Sequence, residues 1–177
     1  VIWLSAAYFK SLRFNRENIQ AGSGLRLNQL LTGAKNKSLS GVEFLAGIPG
    51  TLGAAIIGNA GAWGKSIGDL VNEVQVLDYN GRARLLKKSQ LKFSYRKSNL
   101  RKYIILSAKL KLVSTPQREI EYKVNQLLRQ RSRTQENNLP NAGCIFKNPA
   151  KGPVALAKGG QTTSRWPAGK LIEGCGL

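Results

Sequence analysis

The 177-residue chain contains no histidine and no methionine. It has two cysteines, Cys144 and Cys175, and nine acidic residues against 28 Lys and Arg. Without histidine there is no His-based catalytic triad. Neither cysteine stands in metal-ligand spacing, so a zinc site is excluded as well. Proton transfer is left to Cys, Tyr, Lys, Arg or a carboxylate. No apolar run approaches the roughly 18 residues of a membrane span. The opening "VIWLSAAYFKSLRF" lacks the basic start and long apolar stretch of a signal peptide, so the expectation is a cytoplasmic protein. The lack of a methionine, a start in mid-strand and a close on "LIEGCGL" point to a fragment.

Against these absences stands a hydrophobic content of 42%, enough to build a core. The net charge is +19, and it is uneven. Residues 82–133 carry 16 Lys and Arg with only Glu119 and Glu121 opposed. Such a stretch attracts phosphates, either of nucleic acid or of a diphosphate ligand, or it is a solvated face; charge alone does not separate these.

Along the chain, "VIWLS" reads as a buried strand. "NIQAGSGLRLNQLLTGAKNK" reads as a strand, a glycine turn and a helix from about Leu25, with Leu27, Leu30, Leu31 and Ala34 at helical spacing. "NEVQVLDYNGRARLLK" is a hairpin turning at Asn80-Gly81. "YIILSAKLKLV" is a further strand. "REIEYKVNQLLRQRSRTQ" is an amphipathic helix with Ile120, Val124, Leu127 and Leu128 inward. "NNLPNAGCIFKNPAKGP" is turn, short strand and turn, which sets Cys144 and Asn148 on one strand face. "PAGKLIEGCG" is a short helix. The mixture makes the fold α+β. The division expected is a first domain over 1–113 and a second over 114–177.

Glycines punctuate "GIPGTLGAAIIGNAGAWG" at 47, 50, 53, 58, 61 and 64. Pro49 suits the opening of a helix here, and Gly58 and Gly61 its end. Interior glycine costs stability, so a run this dense needs a reason. Tight packing of a helix on a sheet is one. A cofactor phosphate against the backbone, at a glycine loop feeding a helix N-terminus, is the other and the favoured one. The pattern is neither the Rossmann fingerprint nor a Walker loop.

"GVEFLAGIPGTLGAAIIGNAGAWG", "FSYRKS" (93–98) and "AGCIFKNP" (142–149) together resemble the UDP-N-acetylenolpyruvoylglucosamine reductase (MurB) family, in its shorter-loop subclass. The resemblance implies an FAD-binding domain of the vanillyl-alcohol-oxidase (PCMH) type, its first lobe missing here, followed by part of a substrate domain. It implies that NADPH reduces FAD and that the flavin reduces the enolpyruvyl group of a UDP-sugar, a step of peptidoglycan synthesis serving cell-wall biogenesis, cell shape and division. Gly47, Ile48, Pro49, Gly50, Thr51, Gly53, Asn59, Ala60 and Gly61 would line the flavin. Arg96 would clamp the substrate carboxylate and stabilise developing enolate charge.

Cys144 stands where the family usually has the serine that protonates the carbanion. A thiol of pKa about 8.5 remains protonated at neutral pH and can serve. Tyr95, Ser98, Lys147 and Asn148 would bind or support the substrate. The family's third catalytic group, a glutamate, has no counterpart, and Glu173 is not promoted to it. Ala54 replaces an expected glycine, and residues 150–167 fit the family poorly. No metal, nucleic acid or membrane partner is expected, and the protein is read as a monomer. Rival readings are a basic RNA-binding module, for which the scattered aromatics are a poor stacking surface, and another FAD oxidoreductase of the same fold.

Overall fold

A computed structural model describes residues 6–134, 145–150 and 165–176. "VIWLS" and Cys144 lie outside these residues. The strands are β1 (Leu12–Asn15), β2 (Asn18–Gly22), β3 (Leu39–Ser40), β4 (Gly61–Ala62), β5 (Lys65–Ser66), β6 (Val71–Leu77), β7 (Ala83–Lys87), β8 (Phe93–Ser94), β9 (Lys97–Ser98), β10 (Ile104–Lys111) and β11 (Val113–Ser114). The helices are α1 (Leu27–Asn36), α2 (Leu52–Ile57), α3 (Ile67–Leu70), α4 (Gln117–Thr134) and α5 (Ala168–Glu173).

An antiparallel sheet in the order β1-β2-β10-β6-β7 forms the frame. Its buried face alternates as half-exposed strands must: Ile19 and Ala21 from β2, Val74 and Val76 from β6, Ala108 and Leu110 from β10. In β10 the pairing steps from Ile105↔Val76 to Ser107↔Gln75. This bulge lets Ile105 and Ala108, three apart, both reach the core. The β6–β7 hairpin forms as read, its turn held by Asp78, whose Oδ1 accepts the amides of Asn80 and Arg82.

Helix α1 buries Leu27, Leu30 and Ala34, while Leu31 is half-buried. Helix α2 buries Leu52, Ala55 and Ile56 and ends at Gly58. It begins after Thr51 rather than at Pro49, and Gly61 belongs to β4 rather than to the helix end.

Helix α4 forms, but of its four expected inward residues only Ile120 is buried, and Leu128 is 41% exposed. The helix packs by its first half on the segment Glu43–Leu45 and on α1, where Lys35 Nζ meets Glu121 Oε1 at 3.0 Å. The chain therefore divides into compact units at Val1–Thr134 and Gln135–Leu177, not after residue 113. The amphipathic face of a helix does not by itself say which neighbour it covers. Among the described residues of the second unit, Ile145–Pro149 is irregular, whereas the sequence predicts a short strand, and Ala150 bridges to Arg165. Helix α5 forms as read. Among the described residues no helix is long and apolar enough to cross a membrane.

Candidate functional site

Two glycine-bearing loops are stitched together beside the sheet. The loop after β2 supplies the Ser23 and Leu25 carbonyls, which accept the Gly53 and Leu52 amides at 2.8 and 2.9 Å. The Leu27 amide in turn donates to the Gly50 carbonyl at 3.1 Å. These bonds consume the first amides of α2. The Leu52 and Gly53 amides are therefore tied to protein and are not offered to an anion.

The glycines of residues 47–64 divide by task. A Cβ on Gly53 would stand 2.9 Å from that of Ser23, and one on Gly61 would run into the Lys65 carbonyl. Gly58 ends α2, and Gly64, at φ +75°, turns the β4–β5 hairpin. Gly47 (φ +72°) lies against the Arg131 side chain. Gly50 is different: its φ is +118°, and nothing lies within 4 Å of where a Cβ would be. Gly47, Pro49 and Gly50 are exposed. Among the described residues, the Gly50 and Thr51 amides have no carbonyl partner. A group that needs free backbone donors and close approach fits at Gly50. Protein packing explains much of the remaining glycine density.

The second motif, residues 93–98, is the β8–β9 hairpin. Tyr95 and Arg96 form its two-residue tip, Arg96 in the left-handed region at φ +57°. Both are exposed. The base of the hairpin is bound to the glycine stretch. Ser98 Oγ donates to the Ile57 carbonyl at 2.9 Å, and Asn59 Nδ2 donates to the Ser94 carbonyl at 3.1 Å. Asn59 Oδ1 accepts the Gly68 amide at 3.0 Å, and Gly68 has no room for a Cβ beside the Phe93 ring. Ser98 is thus buried and committed to the fold, while Arg96 is held out at the tip.

Asn99 closes the loop behind: its amide donates to the Lys92 carbonyl, its Oδ1 accepts the Lys92 amide and its Nδ2 donates to the Gln90 carbonyl. Lys92, Lys97, Arg101 and Lys102 are exposed, and no acidic residue occurs from 79 to 118, so the stretch of sequence around Arg96 carries positive charge alone.

In the second unit Lys147 is exposed. Asn148 Oδ1 accepts the Ala168 amide at 3.0 Å, capping α5, and its carbonyl accepts Arg165 Nη1 at 2.9 Å. The structure brings Asn59, Tyr95, Arg96 and Ser98 together with the 47–61 stretch. Lys147 and Asn148 belong to the other unit. Sequence reading passed over two participants. The loop "AGSG" (21–24) carried a signal, a glycine pair between a strand and a helix. Arg131, which reaches the glycine loop from α4, carried none, being one cation among many.

The fold and this glycine platform define the class, an α+β flavin-nucleotide-binding domain, and residues 1–86 match the family model described as FAD binding domain. Relatives extend the match along the chain. The UDP-N-acetylenolpyruvoylglucosamine reductase of Chloroherpeton thalassium is 38% identical over the whole chain and 55% of the relative. That of Bacillus pumilus is 40% identical over 78% of this chain and 46% of its own length. The crystal structure of the Thermus caldophilus enzyme (MurB) superposes with a TM-score of 0.76 at 32% identity, covering 97% of this chain and 57% of that one. Over most of its length the chain is similar to the UDP-N-acetylenolpyruvoylglucosamine reductases, with a flavin-binding domain of the vanillyl-alcohol-oxidase (PCMH) fold, and it spans about half the length of the relatives it matches.

Proposed function

We propose that this chain carries the flavin platform and the arginine of an NADPH-dependent reductase. The enzyme would convert the enolpyruvyl group of UDP-N-acetylglucosamine enolpyruvate to the lactyl group of UDP-N-acetylmuramate, in cytoplasmic peptidoglycan synthesis that supports cell shape and division. The small-molecule partners are the UDP-sugar and NADPH, and the working unit is a monomer without nucleic-acid or membrane partners. The observation that carries this reading is the docking of the Arg96 hairpin on the glycine stretch through Ser98–Ile57 and Asn59–Ser94. A backbone platform and a guanidinium in one compact unit are what reduction of an unsaturated carboxylate needs.

Gly47, Ile48, Pro49, Gly50, Thr51, Gly53, Asn59, Ala60 and Gly61 would hold FAD, Gly50 and Thr51 through their amides. Bound FAD supplies the hydride relay from NADPH to the substrate double bond. Arg96 orients the substrate carboxylate by a bidentate pair and stabilises the enolate charge that builds there. Cys144 Sγ–H gives its proton to the carbanion carbon, completing the saturated product. Tyr95 and Ser98 support Arg96, and Lys147 and Asn148 bind the sugar or its phosphates.

The test uses the complete gene product loaded with FAD. Flavin bleaching by NADPH and its recovery on adding the UDP-enolpyruvyl sugar are timed separately by stopped-flow absorbance. Cys144→Ala leaves the first phase intact and cripples the second, and Cys144→Ser restores much of it. Equal slowing of both phases would make Cys144 structural. Absence of any sugar-dependent recovery in the unaltered protein would overturn the assigned activity.

A further inference from the structure

Near its C-terminal end helix α4 lies over the glycine stretch, where Leu128 and Arg131 both approach Gly47 and Arg131 supplies the polar contact. Arg131 Nη1 donates to the Ala46 carbonyl at 3.1 Å, across 85 positions of sequence. Its guanidinium stands over the Trp63 ring, 5.8 Å from the centroid. Its Cδ lies against Gly47, where a Cβ would come within 2.9 Å. Trp63 is itself held at the tip of the β4–β5 hairpin, with φ +50° beside Gly64 at +75°. One half-buried side chain thus joins three parts of the first unit: α4, the start of the 46–50 loop and the β4–β5 hairpin.

The loop needs such a tie. Its middle and far end are bonded, the Ile48 amide to the Leu45 carbonyl at 2.9 Å and the Gly50 carbonyl to the Leu27 amide. Gly47 and Gly50 sit at positive φ and are exposed. Glycines have many other conformations available, and ordering them when a ligand binds weakens affinity. A guanidinium suits the task. It is planar, it lies flat on an indole, and it donates to a carbonyl at the same time; an ammonium does not combine these contacts.

We infer that Arg131 is a positioning residue for the cofactor, locking the 46–50 loop in its receptive conformation from the side of Trp63. The inference rests on the flavin reading above. It concerns preorganisation of the loop and requires no contact between Arg131 and the cofactor.

The experiment uses the complete gene product stripped of flavin, with FAD binding followed by flavin fluorescence and loop order by amide hydrogen exchange. Arg131→Ala weakens FAD binding by about tenfold or more, as expected for one charge-assisted hydrogen bond plus a cation–π contact. It also speeds exchange at the Ile48 amide, which is bonded to the Leu45 carbonyl, in the flavin-free protein. Arg131→Lys recovers little of either. Trp63→Leu, which removes the stacking surface from the opposite side, reproduces both effects and serves if Arg131→Ala does not fold. Glu121→Gln removes the Lys35 ion pair on the same helix and leaves FAD affinity and loop exchange unchanged, separating loop order from general docking of α4.

Normal FAD affinity in Arg131→Ala, full recovery in Arg131→Lys, or equal weakening in Glu121→Gln would overturn the inference while the flavin reading stands. No FAD binding by the unaltered protein would overturn both.

Discussion

The Ser98 hydroxyl donates to the carbonyl of Ile57 at 2.9 Å, linking residues 41 positions apart. This bond fastens the hairpin that carries Arg96 to the last turn of the helix that follows the glycine loop. Ser98→Ala leaves this buried contact unmade, at a cost of about 1–3 kcal/mol. A thermal melt should show the loss. Because the hairpin loosens, turnover falls further than FAD affinity does.

Arg96→Lys tests the tip of the same hairpin. The charge remains, but the planar fork that pairs with a carboxylate is gone. Loss of one positioned charge-stabilising donor typically lowers turnover about 100-fold or more. FAD affinity and melting temperature stay near those of the unaltered protein, since Arg96 is exposed at the turn. Steady-state kinetics and a flavin titration decide the matter, and near-normal turnover would remove Arg96 from the chemistry.

Gly50→Ala and Gly53→Ala should fail differently. At Gly50 the added methyl enters open space, but φ +118° strains any L side chain, by about 1–3 kcal/mol. At Gly53 the methyl presses on Ser23, so the two loops separate. Gly50→Ala therefore weakens FAD binding by blocking the open approach, with a modest loss in melting temperature. Gly53→Ala lowers the melting temperature of the flavin-free protein more. Melting curves with and without FAD distinguish the two.

Ser23 is buried, and its Oγ has no hydrogen-bond partner among the described residues. An unmet buried hydroxyl costs on the order of 1 kcal/mol. Ser23→Ala is therefore neutral or stabilising in the flavin-free protein, raising the melting temperature by up to a few degrees. A substantial drop in melting temperature would mean that the hydroxyl has a partner after all.

Glu43 is 1% exposed and ionised. Burial alone raises its pKa, but bonds from Ser40 Oγ and the backbone, including the Gly41 amide, together with nearby Lys123, outweigh it and hold the carboxyl below its ordinary 4.5. A lowered native pKa gives stability that is complete above the unfolded value and is lost as pH falls through the folded one. Melting temperature should therefore drop below about pH 4.5. In Glu43→Gln the drop is shallower, while the variant is less stable by about 1–3 kcal/mol at pH 7, having lost a charged acceptor. Parallel curves for the two proteins would deny Glu43 this role.

The sequence by itself determined the local elements. Alternating Val74 and Val76, the Asn80-Gly81 turn and the spacing of Leu27, Leu30 and Ala34 reflect choices a short segment makes alone, through backbone geometry and which face is apolar. The motifs were legible because the glycines and Arg96 stand among fixed neighbours in sequence. Tertiary structure decided what those local signals leave open. Gly50 and Gly53 look alike in a string, yet one faces open space and the other faces Ser23, because only the packed chain puts the 23–25 loop against α2. Nothing in the string sets Ser98 apart from its neighbours in the motif, and only the folded chain puts its hydroxyl on the Ile57 carbonyl. Helix α4 read as the start of a second domain. An amphipathic stripe records that a face is covered but not by what, and the Lys35–Glu121 and Arg131–Ala46 contacts that join it to the first unit are non-local. Contacts between distant residues depend on how the whole chain folds back on itself, and no window of sequence contains both partners.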